Sequence, residues 1–186
     1  METVILNLNT VELSDEQFYR LCEANEQWQL ERTAKGELVI MPPVGGISGE
    51  KEADLISLLW LWNREMQLGK VFSSSTIFRL PKGGDRSPDA AWIKLERWQT
   101  LTQEQQASFP PICPDFVIEL RSRTDSIKPL QEKMQEYLDS GLRLGWLIND
   151  QQKVVEIYRR NCQVEVVNLP TQLSGEEVLP KFVLNL

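Results

Sequence analysis

The chain has 186 residues, 41% apolar and 25% charged, with a formal net charge of −7. Those values fit one soluble globular domain and argue against a protein that coats nucleic acid, since nonspecific affinity rests on neutralised phosphates. No histidine is present, which excludes Ser-His-Asp and Cys-His catalysis and the usual zinc hydrolase sites.

Residues 2–12 read as extended and supply an early strand. Ser14 and Gln17 have capping-box spacing, so a helix is predicted from there to about Asn25. Apolar and polar residues then alternate on either side of Ala34-Lys35-Gly36, the pattern of a β-hairpin. After Pro42 to Gly46 comes a long helix over Ser48–Leu68. Its stripe is Ala53, Ile56, Leu59, Trp60 and Asn63, broadened by Leu55, Leu58 and Trp62, and Gly69 is its expected stop. Glu50, Glu52 and Asp54 suit its N-terminal dipole.

A strand is predicted from Val71 to Leu80, and a turn over Pro81–Asp85 leads into another at Pro88–Ile93. Residues 94–113 make an excursion with helical turns at Leu95–Trp98 and Thr102–Ala107, the second capped by Thr102. Phe116-Val-Ile-Glu-Leu is nearly all apolar, as in a strand covered on both faces. A single acid inside such a run is costly without a partner, which sets Glu119 apart. Ser126, alone or with Asp125, caps a second long helix with Leu130, Met134, Tyr137 and Leu138 on one face. Three strands joined by hairpins follow, then a short tail. The pattern is α+β, a mixed sheet with helices before and after its central strands.

Cys22, Cys113 and Cys162 have no metal-site spacing and read as reduced, mostly buried thiols. Trp60, Trp62, Trp92, Trp98 and Trp146 lie in apolar strings and read as core or interface. No apolar run approaches the ~18–20 residues of a membrane span. The N-terminal residues lack a signal-peptide pattern, so a cytoplasmic location is expected.

Asp89 and Glu119 sit at the ends of two short apolar runs that one sheet could pair. Two carboxylates held together by strands suit Mg²⁺ or Mn²⁺, which take hard oxygen ligands and keep several waters. By spacing alone an alternative stands open: Asp89 as a turn residue, and Glu119 as an acid ion-paired in the core. In that case Glu119→Gln would cost ~3–5 kcal/mol.

Several strings together resemble one family: Arg86-Ser-Pro-Asp-Ala-Ala-Trp-Ile93, Cys113-Pro-Asp-Phe-Val-Ile-Glu-Leu-Arg-Ser122, and Leu130-Gln-Glu-Lys-Met-Gln-Glu-Tyr-Leu138 with Leu144-Gly-Trp-Leu-Ile148. They are similar to the Uma-type restriction-endonuclease-like proteins, a branch of the PD-(D/E)XK nuclease superfamily, from about Pro42 onward. The resemblance implies a restriction-endonuclease-like core over 42–186, a central mixed β-sheet flanked by helices. A strand-helix-hairpin element over 1–41 completes a single domain, 1–186. It also implies metal-dependent hydrolysis of DNA.

Pro88-Asp89 matches the motif's PD and Glu119 its acid. Arg121 stands where the motif has Lys; an Arg can hold a phosphate but cannot shuttle a proton, and Lys133 on the next helix is the candidate migrated Lys. Ile47 stands where relatives carry an acid, for which Glu50 or Glu52 could substitute. Arg79, Lys82 and Arg86 before the first acid, with Arg123 and Lys128 after the second, form a basic rim suited to a phosphodiester backbone. The readings are thus an Mg²⁺- or Mn²⁺-dependent endodeoxyribonuclease, expected as a homodimer, or a catalytically impaired nuclease-like module that binds nucleic acid or a protein.

Overall fold

The computed structural model describes residues 3–8 and 10–186. In chain order the elements are β1 (Val4–Leu6), α1 (Asp15–Ala24), β2 (Gln29–Arg32), β3 (Leu38–Met41), α2 (Gly46–Met66), β4 (Gly69–Ser73), β5 (Phe78–Arg79), β6 (Asp85–Arg86) and β7 (Ala90–Lys94). There follow α3 (Leu95–Trp98), α4 (Gln103–Ala107), β8 (Phe116–Leu120), α5 (Ile127–Asp139), β9 (Leu144–Asn149), β10 (Val154–Arg159), β11 (Glu165–Asn168), β12 (Gln172–Ser174) and β13 (Val183–Asn185). The early strand thus covers only part of 2–12, of which Glu2 and Asn9 lie outside the described residues.

The central sheet has the order β11-β10-β9-β8-β7-β4. Its neighbours are antiparallel except β8 and β9, which run parallel because α5 carries the chain over one face between them. The apolar residues of β8 therefore serve two cores. Phe116 and Ile118 pack with Leu55, Leu59 and Trp62 of α2, while Val117 packs with Met134 and Tyr137 of α5. Glu119 falls on the α5 face by the two-residue period of a strand. Burial of each large apolar side chain here contributes about 1.5–3 kcal/mol.

The hairpin at Ala34-Lys35-Gly36 forms in register, with Leu30 opposite Ile40. It belongs to a second sheet of order β1-β3-β2-β6-β5. The predicted capping box at Ser14 with Gln17 is present, and the predicted N-cap at Thr102 forms a capping box with Gln105 as well.

Five expectations are corrected. Helix α2 begins at Gly46, so Glu50, Glu52 and Asp54 lie beyond its first turn, and it ends at Gln67 in the left-handed region at φ 55°. Gly69 instead opens β4, where a Cβ would stand 2.2 Å from the Ile93 carbonyl oxygen and 2.4 Å from the Trp92 ring. The buried stripe of α2 is Leu55, Leu59 and Trp62; Trp60 is 49% exposed with the Arg64 guanidinium over its ring. The predicted 71–80 strand is split by a turn, so that Phe78-Arg79 joins the second sheet. Finally, the tail pairs with itself as β12 and β13, whose Leu173 and Leu184 join the core that contains Trp146.

Candidate functional site

The β7–β8 register pairs Ala90 with Ile118 and Ala91 with Val117. One step further out lie Asp89 and Glu119, on the α5 face at the end of the two strands. The Leu120 amide donates to Asp89 Oδ2 at 2.6 Å. Sheet pairing thus brings together two acids thirty positions apart in the chain.

Lys133 comes from α5 one turn before Tyr137, so both side chains reach the same strand. Its Nζ is 2.8 Å from Glu119 Oε1, 2.8 Å from Glu31 Oε1 and 2.9 Å from the Ser87 carbonyl oxygen. An ammonium has three N–H donors, and all three have protein acceptors here. Tyr137 OH donates to Glu119 Oε1 at 3.0 Å. The second oxygens of Asp89 and Glu119 take no hydrogen bond from the described residues.

Glu31 was not foreseen as a site residue. It lies on β2 and is 1% exposed. Its Oε2 accepts from Arg86 at 2.9 Å and its Oε1 from the Ser87 amide at 2.8 Å. Nothing in the Trp28–Thr33 alternation distinguishes it from an acid on a solvated hairpin face. Only the packing of β2 beside β6 and under α5 gives it partners.

Four carboxylates, Glu31, Asp89, Glu119 and Glu136, face two cations, Arg86 and Lys133. When all are ionised the excess is two negative charges, to which Glu52 adds at the rim by acting on Asp89. The titration behaviour follows. Burial pushes Glu119 up to about 8, against the opposing pull of Lys133 and with help from Asp89 and Glu31. Burial likewise pushes Asp89 up to about 6, opposed by Lys133 and the Leu120 amide. Glu31 goes the other way: burial favours its neutral form, but Lys133 and Arg86 together hold it below the ordinary value. For Lys133 burial favours loss of the proton, yet Glu119, Glu31 and Asp89 outweigh it and keep the ammonium charged.

The remaining predicted site residues divide. Arg121 points away from the acids, its Nε to the Asp125 carbonyl at 3.1 Å and its Nη1 to Asn149 Oδ1 at 3.3 Å. Arg86 is 5% exposed and bound to Glu31 and Glu136; the structure thus removes it from the basic rim, because its charge is spent inside. Arg79 pairs with Asp85 at 2.9 Å and Asp15 at 3.4 Å. Lys82 lies on the exposed turn between β5 and β6, while Arg123 and Lys128 are exposed just past β8 and at the start of α5. Glu50 is exposed on α2, and Ile47 beside it is 75% exposed. Of the accessory acids, Glu52 is the one tied in, accepting from the Ser74 hydroxyl.

No group of three or more His, Cys, Asp or Glu side chains that could hold a metal ion occurs among the described residues. Nor is any helix among them long and apolar enough to cross a membrane.

A family model described as "Putative restriction endonuclease", Uma2, matches residues 15–186. The match therefore includes α1 and the hairpin that bears Glu31, well before the Pro42 boundary drawn from the sequence. A crystal structure from Anabaena variabilis, described as a "putative nuclease belonging to DUF820", superposes with a TM-score of 0.72 at 19% identity. The superposition covers 84% of this chain and 86% of that one. At that identity the likeness shows the fold, a mixed central sheet flanked by helices as in restriction-endonuclease-like nucleases. Comparison with curated proteins finds no match.

Proposed function

The chain belongs to the Uma2 family, and from that premise we propose that it is a divalent-metal-dependent endonuclease hydrolysing DNA phosphodiester bonds. Family membership supports a nuclease, and members of restriction-endonuclease-like families generally use divalent metals. The observation that carries the finer reading is the paired Asp89 and Glu119, with an open oxygen on each and mutual repulsion that raises the cost of ionising Glu119 beside Asp89 without a cation.

That donor set fits Mg²⁺ or Mn²⁺. Both ions take carboxylate oxygens, and Mg²⁺ retains several waters, so two protein carboxylates suffice. When bound, the ion supplies Lewis acidity toward a phosphoryl oxygen. Asp89 is held for this by the Leu120 amide, and Glu119 by Tyr137 and Lys133. Lys133 stays protonated and cannot serve as a general base at neutral pH; it fixes the carboxylate it touches and keeps a positive charge beside the scissile group. In this reading the exposed Arg123 and Lys128 contact backbone phosphates.

A second reading, a nuclease-like module that binds without cleaving, draws support from the saturation of Lys133 and the outward turn of Arg121. Plasmid nicking by purified protein with Mg²⁺ or Mn²⁺ separates the two. The endonuclease reading expects nicking in wild type and none in Asp89→Asn or Glu119→Gln proteins of native circular dichroism. It fails if wild type binds no divalent cation, or if nicking survives in both variants.

A further inference from the structure

We infer that Glu31 is a positioning residue: it is the counter-ion that holds Lys133 when a divalent cation occupies Asp89 and Glu119. The inference rests on the endonuclease reading and extends it to a residue outside the two motif strands. As the side chains stand, the Lys133 ammonium is equidistant from Glu31 and Glu119, at 2.8 Å. An ammonium and a divalent ion on one buried carboxylate repel strongly, because little solvent screens them. Lys133 therefore needs a second carboxylate to hold its ammonium in place once Glu119 is shared with a metal.

Glu31 is that carboxylate, and no third one pairs with Lys133 among the described residues. Both of its oxygens are engaged, Oε1 by Lys133 and the Ser87 amide and Oε2 by Arg86. It is thus not available as a metal ligand and acts only through Lys133. Its own position is fixed by the way the β2–β3 hairpin is clamped to α5. The Ala34 amide donates to Glu136 Oε1 at 3.1 Å, Lys35 pairs with Glu132 at 3.0 Å, and Arg86 links Glu136 to Glu31. The N-terminal hairpin is by this account a working part of the site rather than a cover for the sheet.

The test is calorimetric titration of Mn²⁺ into the full chain, with circular dichroism as the check on folding. Glu31→Gln leaves Lys133 with Glu119 as its sole carboxylate, so Mn²⁺ must compete with the ammonium, and affinity should fall about tenfold or more. Adding Lys133→Met removes the competitor, and the double variant should bind at wild-type affinity or better. Unchanged affinity in folded Glu31→Gln overturns the inference while leaving the endonuclease reading intact. If Glu31→Gln does not fold, the double variant decides alone: wild-type affinity supports the inference, and a loss of about tenfold overturns it. Absence of Mn²⁺ binding in wild type overturns the reading and the inference together.

Discussion

Replacing Glu119 by Gln should make the metal-free protein more stable at alkaline pH, contrary to what loss of a buried ion pair would do. Glu119 is 2% exposed, and burial raises its folded-state value from 4.5 to about 8. Between those limits the folded state keeps a proton that the unfolded chain has released, so stability falls as pH rises, by about 1.4 kcal/mol per pH unit. Across the whole window the loss is on the order of 5 kcal/mol. Gln keeps the carbonyl that Tyr137 and Lys133 address and has no proton to lose. Urea denaturation in EDTA at pH 5 and pH 8 measures the effect. Wild type should weaken relative to Glu119→Gln over that range, and millimolar Mg²⁺ should restore wild type at pH 8 while leaving the variant unchanged. The reasoning is refuted if the gap between the two proteins is the same at both pH values. It is also refuted if the variant is weaker throughout by ~3–5 kcal/mol, the mark of an ion-paired core acid.

Three further outcomes are expected. Gly69→Ala should lower stability by about 1–3 kcal/mol in chemical denaturation, because its Cβ would run into the Ile93 carbonyl and the Trp92 ring. Arg121→Ala should leave Mn²⁺ affinity within error of wild type by calorimetry, since its guanidinium holds Asp125 and Asn149 rather than the acids. Cys113 is buried, and burial pushes its thiol up to about 12. In native protein at pH 8 iodoacetamide should therefore label exposed Cys162 and spare Cys113, as read by peptide mass mapping.

Much of the site's strand framework is legible in the sequence. Glu119 stands out because an acid in a run such as Phe116–Leu120 must find a partner, and the caps at Ser14 and Thr102 depend on neighbours within three residues. Lys133 was legible as a candidate, but its geometry was not. Arg86 and Arg121 looked like substrate contacts because charge alone does not say which way a side chain turns. Arg86 proved to be internal and Arg121 to serve the loop after β8. Trp60 and Trp62 were indistinguishable by composition, and the phase of α2 against the sheet decided which of them is buried.

The amino-acid sequence by itself determined most of the local elements, the two-faced β8 and the acid that does not belong in it. These follow from periodicity and short-range hydrogen bonding, which operate within a few residues. Only the tertiary structure decided that β2 lies under α5 and delivers Glu31 to Lys133, 102 positions further along the chain. A strand's pattern says which side chains share a face. What that face meets depends on how the sheets and helices pack, and that depends on every element at once.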